Sequence, residues 1–109
     1  MMKLLVTIVQ DQDVQELLEV LMENGFSATK LASTGGFLRL GNTTLLIGVD
    51  DGKVEGALAL IKKTCKKREQ YDPVPIIPFG RGSMMPKMDK VIVGGAIVFI
   101  LDVERFEKI

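Results

Sequence analysis

The sequence predicts an α+β sandwich of ferredoxin-like type: element order βαββαβ, an antiparallel sheet with two helices on one face, and an extra short strand before the last. Three observations predict it. Continuous β-prone runs alternate with two segments whose apolar residues recur at helical spacing, aspartates introduce each helical segment, and paired glycines punctuate the strands. With 109 residues the chain is read as a single domain, 1–109, too short for a catalytic unit joined to a separate regulatory one.

The first strand is Leu4 to Val9, a β-prone run that fits a central position covered on at least one face. Asp11 or Asp13 is the expected cap of the first helix, whose apolar stripe is Val14, Leu17, Leu18, Leu21 and Met22, with Gly25 closing it. Phe26 to Ser33 alternates loosely as a second strand, Gly35 and Gly36 break it, and Thr43 to Val49 forms the third. Asp50 or Asp51 then caps a second helix, in which Val54, Ala57, Leu58, Ile61 and Cys65 recur at a 3.6-residue period. Pro73 to Pro78 is punctuated by prolines and suits an edge strand, and Phe79 to Asp89 reads as a flexible loop. The final strand is Val91 to Val103, with Gly94-Gly95 inside it as a bulge or a close backbone approach.

Two helices cover only one face of such a sheet. The last strand is apolar on both sets of alternating positions, Val91, Val93, Ile97, Phe99 and Leu101 against Ile92, Ala96, Val98 and Ile100, so the other face is expected to be buried against another subunit.

Composition narrows the function classes. Fourteen Lys and Arg balance fourteen Asp and Glu, for a formal net charge of +0, so no global field draws the chain to a nucleic acid or an anionic membrane. Any polyanion it binds is small and locally recognised. The absence of His removes the commonest general base and metal ligand, and the lone Cys65 can form neither an internal disulfide nor a cysteine zinc cluster, which points to a reducing, cytoplasmic setting. Met1 to Gln10 lacks a signal-peptide cleavage pattern, and no apolar stretch approaches the roughly 20 residues of a membrane span.

Enzymatic readings are weak. Asp11, Asp13, Glu16 and Glu19 are carboxylates where a helix dipole favours them, and Cys65 lies on an apolar stripe as a small hydrophobe with no histidine to activate it. The basic run Lys62, Lys63, Lys66, Lys67 and Arg68 suits the C-terminal end of a helix and reads first as a solvated face, second as an anion site. Gly35-Gly36-Phe37-Leu38-Arg39 is more informative: paired glycines let backbone approach a ligand while an aromatic surface and a charge follow. A plain hairpin turn accounts for the same pattern, which has neither the lysine spacing of a P-loop nor the glycine spacing of a dinucleotide fingerprint.

As a set, Val9-Gln10-Asp11-Gln12-Asp13, Ala28 to Arg39 (ATKLASTGGFLR), Gly41-Asn42-Thr43-Thr44, Lys67-Arg68-Glu69-Gln70 and Val93-Gly94-Gly95-Ala96 resemble the PstA family of PII-like signal transduction proteins. The resemblance runs over essentially the whole chain as a single PII-like domain. It implies a cytoplasmic, non-enzymatic homotrimer that binds cyclic di-AMP in the clefts between neighbouring subunits, with no cofactor and no metal, and that signals to a downstream protein the sequence does not identify. It implies a ligand site at Ser27, Ala28, Thr29, Gly36, Phe37, Leu38, Asn42, Gly48, Phe99 and Lys108, residue types that stack an adenine, read its edge and meet phosphate oxygens. Two departures from the family pattern matter. Ser27 stands where the family places an arginine, removing a phosphate-facing charge, and Glu107-Lys108-Ile109 replaces a His-Gln-Phe ending, so that Lys108 offers positive charge from another direction. The segment from Gly80 to Lys90 is also shorter than the family's. Two alternatives stay open: a PII-like trimer that binds ATP, and an adaptor that has lost ligand binding.

Overall fold

The computed structural model describes residues 1–32, 41–73 and 88–109. Its elements are β1 (Met2–Gln10), α1 (Asp11–Glu23), β2 (Ala28–Ala32), β3 (Asn42–Asp50), a 3-10 turn (Asp51–Lys53), α2 (Val54–Thr64), β4 (Arg68–Pro73), β5 (Met88–Val93) and β6 (Ala96–Asp102). Four strands form one antiparallel sheet in the order β2-β3-β1-β6, and β4 pairs with β5 as a separate two-stranded hairpin.

Strand alternation divides the sheet into two faces. On one, Leu5 and Val9 of β1 and Leu45, Ile47 and Val49 of β3 pack under Val14, Leu17 and Leu21 of α1 and Ala57 and Ile61 of α2. Each fully buried leucine here contributes roughly 1.5 to 3 kcal/mol by leaving water. On the opposite face the registers assemble cross-strand rows, Leu31-Thr44-Ile8-Ile97 and Thr29-Leu46-Val6-Phe99, with Gly48-Leu4-Leu101 beside them. No helix covers this second face among the described residues, and Leu31, Phe99 and Leu101 are exposed on it.

Gly25 terminates α1 as its sequence position demands. It adopts φ +82, its N–H donates to the Met22 carbonyl at 3.1 Å, and the Phe26 N–H reaches back to the Leu21 carbonyl at 2.9 Å, the bond pair of a Schellman ending. Phe26 then folds against the core. Met22, expected on the buried stripe, is 76% exposed, because it lies about 100° of helix rotation beyond Leu21.

Other expectations are corrected as well. Neither Asp11 nor Asp13 caps α1: Gln10 holds the cap position without a side-chain capping bond, and both aspartates lie in the first helical turn, where their carboxylates are engaged elsewhere. Asp50 and Asp51 do not cap α2 either, since Asp51 opens the 3-10 turn and Lys53 precedes the helix. The expected strand from Val91 to Val103 is two strands. Gly94 and Gly95, at φ +88 and +90, turn the chain through a corner, so that β5 leaves the main sheet for β4 while β6 stays beside β1. Arg68, read as the end of the basic run on the second helix, begins β4, and Met88 and Asp89, read as loop, belong to β5. The rest of that loop and residues 74–78 of the expected edge strand lie outside the described residues.

Candidate functional site

Of the residues implied by the resemblance, Ser27, Ala28, Thr29, Asn42, Gly48, Phe99 and Lys108 are described, and Gly36, Phe37 and Leu38 lie outside the described residues. Thr29, Asn42, Gly48 and Phe99 all project from the uncovered face of the sheet by strand register. Ser27 enters β2 just beyond the paired residues and is exposed. Thr29 pairs with Leu46, which places Gly48 one diagonal step away along β3. Asn42 begins β3 opposite Gln10 and is 5% exposed. Ala28 pairs with Ile47 and turns its methyl into the helix-facing core, so what it offers a ligand is backbone. That backbone is available because β2 is an edge of the sheet.

Phe99 stands apart. It shares the Thr29 row but is three strands away, roughly 14 Å at the usual interstrand spacing. One adenine cannot touch both side chains of a single subunit. Lys108 is exposed in the tail that follows β6.

Three side chains at the β1–α1 junction, Gln10, Asp11 and Asp13, border this group of residues. The Asp11 N–H donates to the Gly41 carbonyl at 2.9 Å, and the Asp11 carboxylate accepts from Thr43 Oγ1 at 2.5 Å, so the residues flanking Asn42 are both tied to Asp11. Gly41 is there for space: a Cβ on it would lie 2.6 Å from Asp11 Oδ2. Gln10 Oε1 accepts from the Gly94 N–H at 2.6 Å in a buried bond. Asp13, 3% exposed, accepts from Arg68 Nη2 at 2.6 Å. That hydrogen bond is the main cause holding the Arg68 pKa above its ordinary value, against the opposing effect of burial. From the sequence, neither Gln10 nor Arg68 is assigned a side-chain partner. Their partners are 84 and 55 residues distant, and no local spacing announces such a pair.

Cys65 is buried at the end of α2 and its thiol is pushed up to about 12, first by desolvation and then by the Asp13 charge. Such a thiol stays protonated near neutral pH and is a poor nucleophile. A groove of about 370 Å³ lies nearby between α2 and β6, floored by Leu58, Ile61, Ala96 and Val98 with Lys62 and Lys66 at its rim. It opens on the helix side of β6 and none of the residues implied by the resemblance lines it. Among the described residues no group of three or more Cys, Asp or Glu is placed to hold a metal ion, and no helix is long and apolar enough to cross a membrane.

A family model described as cyclic-di-AMP receptor matches residues 2–109. The chain belongs to the cyclic-di-AMP receptor family. A crystal structure of a protein of unknown function from Pediococcus pentosaceus is similar to this receptor-family chain at 39% identity, covering 99% of this chain and 97% of that one with a TM-score of 0.78. Two more distant structures share the fold. A DUF3240 family protein from Shewanella baltica has 16% identity and a TM-score of 0.58 over 99% of this chain and 96% of that one. Arabidopsis thaliana PII bound to citrate has 15% identity and a TM-score of 0.55 over 94% of this chain and 74% of that one. The receptor-family chain therefore has a PII-like α+β fold, with the antiparallel sheet and two helices expected from its sequence.

Proposed function

We propose that this protein is a cytoplasmic, non-enzymatic receptor that assembles as a homotrimer and binds cyclic di-AMP where subunits meet. The match to the cyclic-di-AMP receptor family across residues 2–109 carries the reading. The geometry supports a shared site: Ser27, the Ala28 backbone, Thr29, Asn42 and Gly48 come from one subunit, with Gly36, Phe37 and Leu38 from the segment between β2 and β3. Phe99 and Lys108 come from the neighbour, because Phe99 is three strands from Thr29 within one chain. Trimerisation covers the apolar rows around Val6, Leu46 and Leu101, which a monomer leaves in water. Adenine stacking contributes roughly 1 to 3 kcal/mol per base, and serine, threonine, asparagine and backbone amides read edges and phosphates. Binding changes the surface around the segments that follow Leu38 and Phe79, and a downstream protein reads that surface.

Titration calorimetry with cyclic di-AMP, with ATP and cyclic di-GMP as controls and light scattering for assembly, tests the proposal. One cyclic di-AMP per subunit of a trimer is the expected result, and an intact trimer that evolves no heat with it refutes the assignment. Ser27 in the place of the family's arginine favours a second reading, an ATP-binding trimer. Stoichiometric displacement of cyclic di-AMP by ATP would establish that one.

A further inference from the structure

The four residues from Gln10 to Asp13 hold two regions that are far apart in sequence. On one side, Asp11 ties down Gly41 and Thr43, the neighbours of Asn42. On the other, Gln10 accepts from the Gly94 N–H and Asp13 pairs with Arg68, the two attachment points of the β4–β5 hairpin. Among the described residues the hairpin has no strand pairing to the main sheet, and its base is crowded: a Cβ on Gly94 would lie 2.8 Å from Arg68 Nη1 and 3.0 Å from the Cys65 carbonyl oxygen. Gln10 and Asp13 thus hold the base of both strands of the hairpin, alongside the Gly95 N–H bond to the Cys65 carbonyl and the Arg68 bond to the Lys66 carbonyl. The same helical turn carries Asp11. A turn of α-helix joined directly to a central strand is stiff, so a shift of Asn42 and its flanking residues moves Gln10 and Asp13 with Asp11.

We propose that Gln10, Asp11 and Asp13 are positioning residues that couple the start of β3 to the β4–β5 hairpin, so that occupancy of the nucleotide site changes the hairpin's stability. The coupling to ligand rests on the reading given under Proposed function; the coupling between the two segments does not. Sites linked in this way change each other's equilibria about 5- to 150-fold.

Hydrogen exchange on the full-length chain tests it in two arms. With saturating cyclic di-AMP, wild-type hairpin amides in residues 68–71 and 90–93 are expected to slow at least about fivefold. In Asp13→Asn the slowing disappears from the hairpin but remains at residues 42–46. Equal slowing of the hairpin in Asp13→Asn overturns the coupling. Arg68→Lys, which keeps the charge and loses the fork, repeats the measurement should Asp13→Asn fail to fold. The second arm needs no nucleotide. Thr43→Val removes the hydroxyl that donates to Asp11, and the hairpin amides are expected to exchange at least about fivefold faster while those of α2 hold their rates. Unchanged hairpin exchange, or an equal rise in α2, overturns the proposal. A wild-type chain that fails to bind cyclic di-AMP overturns the functional reading instead, and this second arm then decides the coupling alone.

Discussion

Two glycines with nearly the same backbone conformation separate local strain from crowding. Gly25 has φ +82 and a Cβ there would meet nothing within 4 Å, so Gly25→Ala costs only the left-handed conformation of an L-residue, about 1 to 2 kcal/mol. Gly94 has φ +88 and carries the same cost, but its Cβ would enter contact distance of the Lys66 carbonyl oxygen and of Arg68 Nη1. Relieving that overlap displaces the corner, and a displacement that breaks the buried Gly94 N–H bond to Gln10 Oε1 leaves its partner unsatisfied at about 1 to 3 kcal/mol. Gly94→Ala is therefore expected to lose roughly 2 to 5 kcal/mol, the sum of the two effects. With a urea dependence of about 2 kcal/mol per molar, the midpoint falls by roughly 1 to 2.5 M in Gly94→Ala and by roughly 0.5 to 1 M in Gly25→Ala. Both variants and the wild type are compared at one protein concentration, since assembly adds to apparent stability. Equal midpoints for the two variants would refute the argument, showing that the corner relaxes freely and that its crowding constrains nothing.

Asn42→Ala is expected to weaken cyclic di-AMP binding about tenfold or more with the trimer intact, read by calorimetry and light scattering; loss of the trimer would show that Asn42 is a packing residue. Leu46→Asp, at the middle of the uncovered face, is expected to give a folded monomer by light scattering and circular dichroism, since an isolated carboxylate cannot enter an apolar interface unpaired. Cys65 sets an alkaline limit. Its thiol is raised to about 12 in the fold, so the unfolded chain releases that proton first, and stability falls between pH about 9 and 12 at up to about 1.4 kcal/mol per unit. Cys65→Ala should lower stability at neutral pH by about 1 kcal/mol and flatten that alkaline slope in urea titrations; an identical slope in the variant would exclude the thiol as its source.

The elements legible in the sequence are those set by local periodicity. The stripe Val14, Leu17 and Leu21 and the stripe Ala57 and Ile61 both mark helices that bury those residues, and Gly25 ends α1 where a left-handed residue is needed. What local pattern could not supply is the destination of side chains and strands. An aspartate before a helix looks like a cap whether or not a distant Arg68 or Thr43 claims it. A Val- and Ile-rich run from 91 to 103 looks like one strand whether or not two glycines redirect its first half to another partner. The residues of the proposed site were likewise legible only as a resemblance. The common face of Thr29, Asn42, Gly48 and Phe99 follows from register, and register depends on pairing between strands that are distant in sequence.

The main sheet also dictates when the molecule can be completed. β1 is an inner strand, yet one of its neighbours is β6, and Lys3 meets Asp102 across 99 positions of chain. Until Ala96–Asp102 is available, β1 has a bare edge and Val98 and Ala96 are missing from the layer beneath α2. Contacts this distant in sequence form slowly, because the intervening chain must first be closed into a loop. A nascent or truncated chain ending before β6 therefore carries an open strand edge beside an apolar core, the feature that recruits chaperones or drives aggregation. In the proposed trimer, subunit recognition inherits the delay. Ile97, Phe99 and Leu101 arrive only with that last strand, so the proposed subunits meet as finished molecules.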